Sequence, residues 1–240
     1  MLLGNKWVPE TIEEVLSPPT KTAVIVVDLQ NDFCHPEGYF GRAGAGMSMY
    51  PKVIENANRV ITAAERAGAH VFYTVNTSLP GLVSDSPAQL RLALRAYARL
   101  GKNVSPSSIQ YTVEGSWGQE LVSGLYVTPD ATVVKKHRSS GFIGTNLDLL
   151  LRSNGITTTV IVGCTTEGCV DSTARDAGFF DYFSVVIEDA VGTSYEDLHH
   201  AVLGVLRAYR ADVITTDQLL RAWDLQLNPE TISNREGNTS

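Results

Sequence analysis

Three residues of the 240-residue chain have the types that nucleophilic chemistry needs, and each stands just past an apolar run. Asp28 follows TAVIVV (22–27), Lys136 follows ATVVK (131–135), and Cys169 closes the turn Gly163-Cys164-Thr165-Thr166-Glu167-Gly168-Cys169 after TTVIV (158–162). A thiol supplies a nucleophile, a carboxylate takes its proton, and an ammonium balances the charges that form. Each has a plainer reading when taken alone. An Asp after a strand often caps a turn, Lys135 or Lys136 at a strand end is commonly a solvated charge, and Cys164 reads as a small core hydrophobe. Cys169 differs in kind. A helix predicted to begin near Thr165 or Thr166 places it about one turn in, where unpaired N–H groups and the helix dipole favour a thiolate and lower its pKa below about 8.5. A nearby Lys136 would lower it further, Asp28 could exchange a proton with it, and the same N–H groups could hold an oxyanion.

Rival constellations are weaker. Cys34-His35 with Asp32 offers a thiol, an imidazole and a carboxylate, but adjacent loop residues rarely converge on one atom and no second Cys/His pair has zinc spacing. No metal is expected. His199-His200 reads as surface and groove packing, and Arg91, Arg95 and Arg99 at i, i+4, i+8 read as a solvated helix face. Neither a Gly-x-Gly-x-x-Gly after the first strand nor a Walker sequence occurs, so no nucleotide cofactor is expected.

The elements that must position the three residues alternate along the chain. Continuous apolar β-branched runs predict strands at Thr22–Val27, His70–Val75, Ala131–Lys135, Thr158–Val162, Ser184–Ile187 and Asp212–Thr215. Between them, Pro51–Ala67 carries apolar residues at Val53, Ile54, Ala57, Val60, Ile61 and Ala64 and stops at Gly68, the pattern of an amphipathic helix. Thr145–Ser153, Thr166–Ala177 and Tyr195–Tyr209 are each long enough for a crossover helix, with Ser/Thr caps. This order predicts an α/β fold: a three-layer αβα architecture around an open six-stranded, mainly parallel Rossmann-like sheet. Ligands of such sheets bind outside the carboxyl ends of the strands, where Asp28, Lys136 and Cys169 all fall. Residues 76–125 hold no strand pattern and one helix, Pro87–Leu100, stopped at Gly101, so they are expected to shape a pocket or lid. The chain thus divides into an N-terminal extension (1–20), one domain (21–225) with that pocket-forming insertion, and a polar tail (226–240) expected to fray.

Composition narrows the partners. Hydrophobic residues make up 43% and charged residues 19%, which describes a globular chain rather than a disordered or fibrous one. No run approaches 18 apolar residues and MLLGNKWVPE lacks a signal-peptide core, so neither membrane insertion nor export is expected. A net charge of -7 without a Lys/Arg block argues against nucleic acid, and three cysteines suit a reducing, cytoplasmic setting. A small-molecule substrate remains.

The chain resembles the isochorismatase-like cysteine hydrolases, a superfamily that includes nicotinamidases and N-carbamoylsarcosine, ureidoacrylate and biuret hydrolases. The resemblance covers nearly all of residues 20 to 222 and rests on three motifs in order: Asp28-Leu29-Gln30-Asn31-Asp32-Phe33; Lys136-His137-Arg138-Ser139-Ser140-Gly141-Phe142; and Gly163 to Val170 followed by Thr173, Ala174 and Asp176-Ala177. It implies an Asp28, Lys136, Cys169 triad, Lys136 rather than Lys135 because only Lys136 satisfies Lys-x-Arg-x-Ser-x-Phe. It also implies a cis peptide between Cys164 and Thr165, and an oxyanion hole from the backbone N–H groups of Thr165 and Cys169. The implied activity is hydrolysis of a small linear amide, ureido or carbamoyl compound through a thioester, with release of ammonia or an amine. Asn76-Thr77-Ser78 replaces the Asp-x-His metal group of nicotinamidases, and Asn76 matches a substrate-contacting Asn of ureidoacrylate amidohydrolases. Ser139, where those relatives have Tyr, and Glu167-Gly168, where they have Asn-Val, are departures that touch the pocket. Competing readings are vinyl-ether hydrolysis of isochorismate, which in the family needs no cysteine, and a catalytically silent binding protein on the same fold. The resemblance further implies a homo-oligomer, dimer or tetramer.

Overall fold

Thr22–Val27 is buried along its whole length, and its side chains alternate between two separate cores. Val24 and Val26 join one apolar cluster while Ala23, Ile25 and Val27 join the other, as the twofold period of a strand requires. Burial of each such Val or Ile contributes roughly 1.5–3 kcal/mol. The computed structural model of the chain describes residues 1–99 and 109–227. The predicted stop of the insertion helix at Leu100 and Gly101 and the fraying of Asn228 to Ser240 lie outside the described residues.

Six strands form the sheet: β1 (Thr22–Val27), β2 (His70–Asn76), β3 (Thr132–Lys136), β4 (Thr158–Cys164), β5 (Phe183–Gly192) and β6 (Asp212–Ile214). Their order is β3-β2-β1-β4-β5-β6 and all neighbours pair in parallel. The order reverses between β1 and β4, and a doubly wound sheet opens a crevice at that switch point. Helices α1 (Tyr50–Ala67) and α6 (Thr216–Leu227) cover one face through Val60, Ile61 and Trp223. Helices α3 (Leu147–Ser153), α4 (Asp171–Phe179) and α5 (Glu196–Tyr209) cover the other through Leu147, Ala174 and Leu206.

Helix α1 ends as its sequence predicts, at Gly68 with φ 74°, a left-handed cap that a side chain would strain. Elsewhere boundaries moved. β3 extends one residue further than ATVVK, so Lys136 is the last residue of the strand rather than the first after it. α3 begins at Leu147 because the Thr145 hydroxyl accepts from the Leu147 N–H and donates to the Gly141 carbonyl, holding a turn ahead of the helix. The helix expected over Thr166–Ala177 divides into a π turn at Thr166–Val170 and α4, neither with a side-chain cap. β5 runs to Gly192 because its register against β4 jumps from Ile161↔Val186 to Gly163↔Val191. Before the sheet come a pair of two-residue antiparallel strands, Leu2–Leu3 and Lys6–Trp7, and a short helix at Ile12–Val15. The insertion carries the helix α2 (Pro87–Arg99) and, among its described residues, isolated bridges in place of strands. No helix among the described residues is long and apolar enough to cross a membrane.

Candidate active site

Lys135 and Lys136 show how the pleat sorts two identical side chains. Successive strand residues face opposite sides, so Lys135 points outward, 58% exposed, and pairs with Glu114 at 2.8 Å, while Lys136 is fully buried beneath the carboxyl edge of the sheet. There its Nζ lies 2.7 Å from Asp28 Oδ2 and donates hydrogen bonds to the Arg138 carbonyl (2.9 Å) and Cys169 Sγ (3.3 Å).

Asp28 has φ 49°, an uncommon conformation for a residue with a side chain. It lets the chain leave β1 while the fully buried carboxylate turns toward Lys136. Thr74 on β2, which pairs with Val27 in the parallel register, donates its hydroxyl to Asp28 Oδ1 at 2.8 Å. The Asp28 backbone carbonyl accepts from Cys164 Sγ at 3.1 Å. Oδ2 lies against the Lys136 ammonium, so the carboxylate and the ammonium form a buried ion pair in the resting site.

Cys169 lies in the π turn after β4, half-buried, on the same edge. The peptide bond between Cys164 and Thr165 at the start of that turn is cis. Burial pushes the Cys169 thiol up to about 12; Lys136 pulls it down, and Asp28 pushes it up again. The expectation of a lowered thiol pKa is therefore overturned: desolvation by burial, with the Asp28 charge, outweighs the pull of the Lys136 ammonium. For Lys136, burial alone would lower the ammonium, but the charges of Asp28 and Cys169 and hydrogen bonds to both hold it above its ordinary value. At neutral pH the resting site is thus a protonated thiol beside an ammonium. A cavity of about 400 Å³ opens over it.

Its walls combine two chemistries. Phe33 and Phe40, stacked at 5.4 Å, and Tyr111, 5.1 Å from Phe40, form the apolar side. Asn76, Ser139, Glu167 and Ser194, with Gln89 of α2, form the polar side. Asn76 lines the cavity, and its Nδ2 donates to Thr112 Oγ1 at 2.8 Å. Its backbone N–H donates to Gln30 Oε1, and Gln30 Nε2 donates to the Asn76 and Gln119 carbonyls, which ties the strand end to the insertion.

Other candidates separate from the site. Cys34 is buried in the Asn31–Cys34 turn with Sγ 3.5 Å from Cys164 Sγ, whereas His35 turns outward against the Trp117 ring. Asp32 accepts from the Tyr39 and Thr112 N–H groups at 2.9 and 2.7 Å and so acts as a loop knot. Among the described residues no group of three or more His, Cys, Asp or Glu side chains could hold a metal ion. The reading of His199-His200 as surface packing holds for His200, while His199 is buried with Nδ1 2.9 Å from the Thr166 hydroxyl, directly under the π turn. Arg99 is not merely solvated: it pairs with Asp197 at 2.9 Å and lies 4.6 Å over the Tyr195 ring.

Comparison with known proteins gives a consistent set of likenesses. The Isochorismatase domain matches residues 22–218. Ureidoacrylate amidohydrolase RutB of Methylobacterium radiotolerans is 34% identical over 208 residues, 86% of this chain and 81% of the relative. Among solved structures, N-carbamoylsarcosine amidase of Thermoplasma acidophilum is 30% identical with a TM-score of 0.64, covering 82% of this chain and 97% of that one. A cysteine hydrolase of Pseudomonas syringae pv. phaseolicola shares the fold with a TM-score of 0.72 at 24% identity, covering 86% and 93%.

Proposed function

The chain belongs to the isochorismatase family, and from that premise we propose that it is a cysteine-dependent amidohydrolase of small linear amide, ureido or carbamoyl compounds. The observation that carries the proposal is the buried Lys136 ammonium set between Asp28 Oδ2 at 2.7 Å and Cys169 Sγ at 3.3 Å, under a cavity sized for a small molecule. Likeness to proteins named for ureidoacrylate and N-carbamoylsarcosine hydrolysis supports the amide class.

In the proposed cycle Asp28 takes the thiol proton as Sγ attacks the carbonyl carbon. Because the thiol ionises only near 12, transfer and attack proceed together rather than through a standing thiolate. The carbonyl electrons move to an oxyanion held by the Thr165 and Cys169 N–H groups, and Lys136 balances the negative charge that has entered the site. Collapse breaks the C–N bond, and the departing nitrogen takes the proton back from Asp28. Water then attacks the thioester with Asp28 as base, and Sγ leaves as the thiol after recovering that proton. Asp28 is thus protonated and deprotonated twice per turnover, once in each half of the cycle.

Cys169→Ala is expected to lower ammonia release from ureido and carbamoyl acids and primary amides by about 10⁴-fold or more while leaving the urea-unfolding midpoint in place. Retained turnover overturns the thioester route. Isochorismate cleavage that survives the substitution would instead establish the vinyl-ether reading, which needs no thiol.

A further inference from the structure

Thr74 is fully buried near the end of β2, and a hydroxyl so placed needs a partner. That partner is Asp28. The Thr74 carbonyl accepts the Asp28 N–H at 3.2 Å and the Thr74 hydroxyl donates to Asp28 Oδ1 at 2.8 Å, so one residue holds both the backbone and the carboxylate of the proposed base. The branched side chain fixes the second contact. A Cβ on Gly141 would lie 3.4 Å from the Thr74 methyl, which places that methyl against the loop after Lys136 while the hydroxyl turns toward Asp28. Gly141 is held there in turn by its N–H, which donates to the Thr173 hydroxyl at 2.9 Å.

The two oxygens of Asp28 therefore stand in different surroundings. Oδ1 accepts from a neutral hydroxyl, whereas Oδ2 lies 2.7 Å from the Lys136 Nζ that also donates to Cys169 Sγ. Without the Thr74 bond the carboxylate could turn about its last torsion, which is soft, and bring both oxygens to the ammonium and away from the thiol. We infer that Thr74 is a positioning residue for proton transfer: by keeping Oδ1 an acceptor, it reserves Oδ2 as the atom that takes the Cys169 proton and returns it to the departing nitrogen. The inference deepens the amidohydrolase reading and rests on it for the substrate. In the first half of the cycle the S–H bond breaks as an O–H bond forms at Oδ2. While the proton sits there Oδ1 is a carbonyl oxygen and still accepts from Thr74, so one hydrogen bond serves both protonation states of Asp28. Thr74 is not among the residues lining the cavity, and so it acts through Asp28 rather than on the substrate.

Two substitutions separate the hydroxyl from the methyl: Thr74→Val keeps the branched shape, and Thr74→Ser keeps the hydroxyl. Alkylation by iodoacetamide at pH 7, read at Cys169 by peptide mass spectrometry, needs the same proton transfer without amide hydrolysis. Ammonia release from N-carbamoylglycine and from butyramide gives kcat and KM. Thr74→Val is expected to slow alkylation and kcat by about tenfold each with KM within about twofold, and Thr74→Ser to keep both rates within about threefold of the wild type. Alkylation of Thr74→Val at the wild-type rate or faster overturns the inference. So does a Thr74→Ser variant as slow as Thr74→Val, which would trace the loss to packing, or a rise in KM with kcat unchanged. Should Thr74→Val fail to fold, Thr74→Ala takes its place beside Thr74→Ser, since those two differ by the hydroxyl alone. If the wild type hydrolyses neither compound, the amidohydrolase reading falls for them, while the alkylation series still decides the role of Thr74.

Discussion

The floor and the roof of the cavity are built on different terms. The floor consists of strand ends: Asp28, Thr74, Lys136 and Cys169 are tied to one another across β1, β2, β3 and the turn after β4, with the two charged side chains fully buried. The roof is α2, whose Arg91, Leu92, Leu94 and Arg95 are exposed, and whose last residue, Arg99, reaches Asp197 at the start of α5. The floor has the rigidity that chemistry needs, because moving any of its groups breaks a sheet ladder or a buried ion pair. The roof can change sequence without disturbing that machinery, and so is suited to set which substrate enters and how tightly it is held.

The sharpest way to break this contrast is to uncouple the floor. Lys136→Met leaves Asp28 as a buried unpaired carboxylate and Asp28→Asn leaves a buried unpaired ammonium, so each single change is expected to cost about 3–5 kcal/mol by urea unfolding. The double variant is expected to lose less than the sum, and all three to lose activity by at least about 10³-fold. Additive losses in stability would show that the two charges do not compensate each other.

A smaller effect tests the protonation of the floor. Cys169 ionises near 9 in the unfolded chain and near 12 in the folded one. Between those pH values the unfolded state has released a proton that the native state keeps, so raising pH favours unfolding. Stability is expected to fall above pH 9 by at most about 1.4 kcal/mol per pH unit from this group, and the fall to be shallower in Cys169→Ala. Near neutrality the native protein is expected to show no thiolate absorbance at 240 nm. A thiolate signal at pH 7 would restore the lowered pKa that the position of Cys169 at a helix start first suggests.

That reversal marks the limit of what the chain discloses before it folds. TAVIVV and TTVIV are legible as central strands because burial on both faces demands unbroken β-branched runs, and the residues that end them are legible as a candidate site because sheet topology sends ligands there. Lys136 could be told from Lys135 by motif spacing, and the pleat gives the physical reason. Thr74 was not visible, since its bond to Asp28 depends on the register of β2 against β1, which local composition does not encode. The desolvation of Cys169 is likewise a sum over distant segments, whereas the helix-start argument counts only neighbours in the chain. The π turn that carries Cys169 has no periodic signature over its five residues, so it emerges only from the folded chain. His199 was missed for the same reason: its partner, Thr166, lies 33 residues away.

The smallest expected effect belongs to the roof. Arg99 is 44% exposed and Asp197 71%, so water and salt screen their contact and its loss is expected to change global stability by less than about 1 kcal/mol. Its position matters more than its strength. Arg99 ends α2, which contributes Gln89, Ala93 and Ala96 to the cavity, and it covers Tyr195, which lines the opposite side. Arg99→Ala is therefore expected to raise KM about two- to fivefold, the range of a contact worth under 1 kcal/mol, with kcat unchanged because no floor residue moves. Added salt is expected to raise the wild-type KM toward the variant's value and to leave the variant's own KM nearly constant. A fall in kcat instead would mean that α2 helps to hold Cys169 and Lys136 in place, and the division between a rigid chemical floor and an adaptable roof would have to be abandoned.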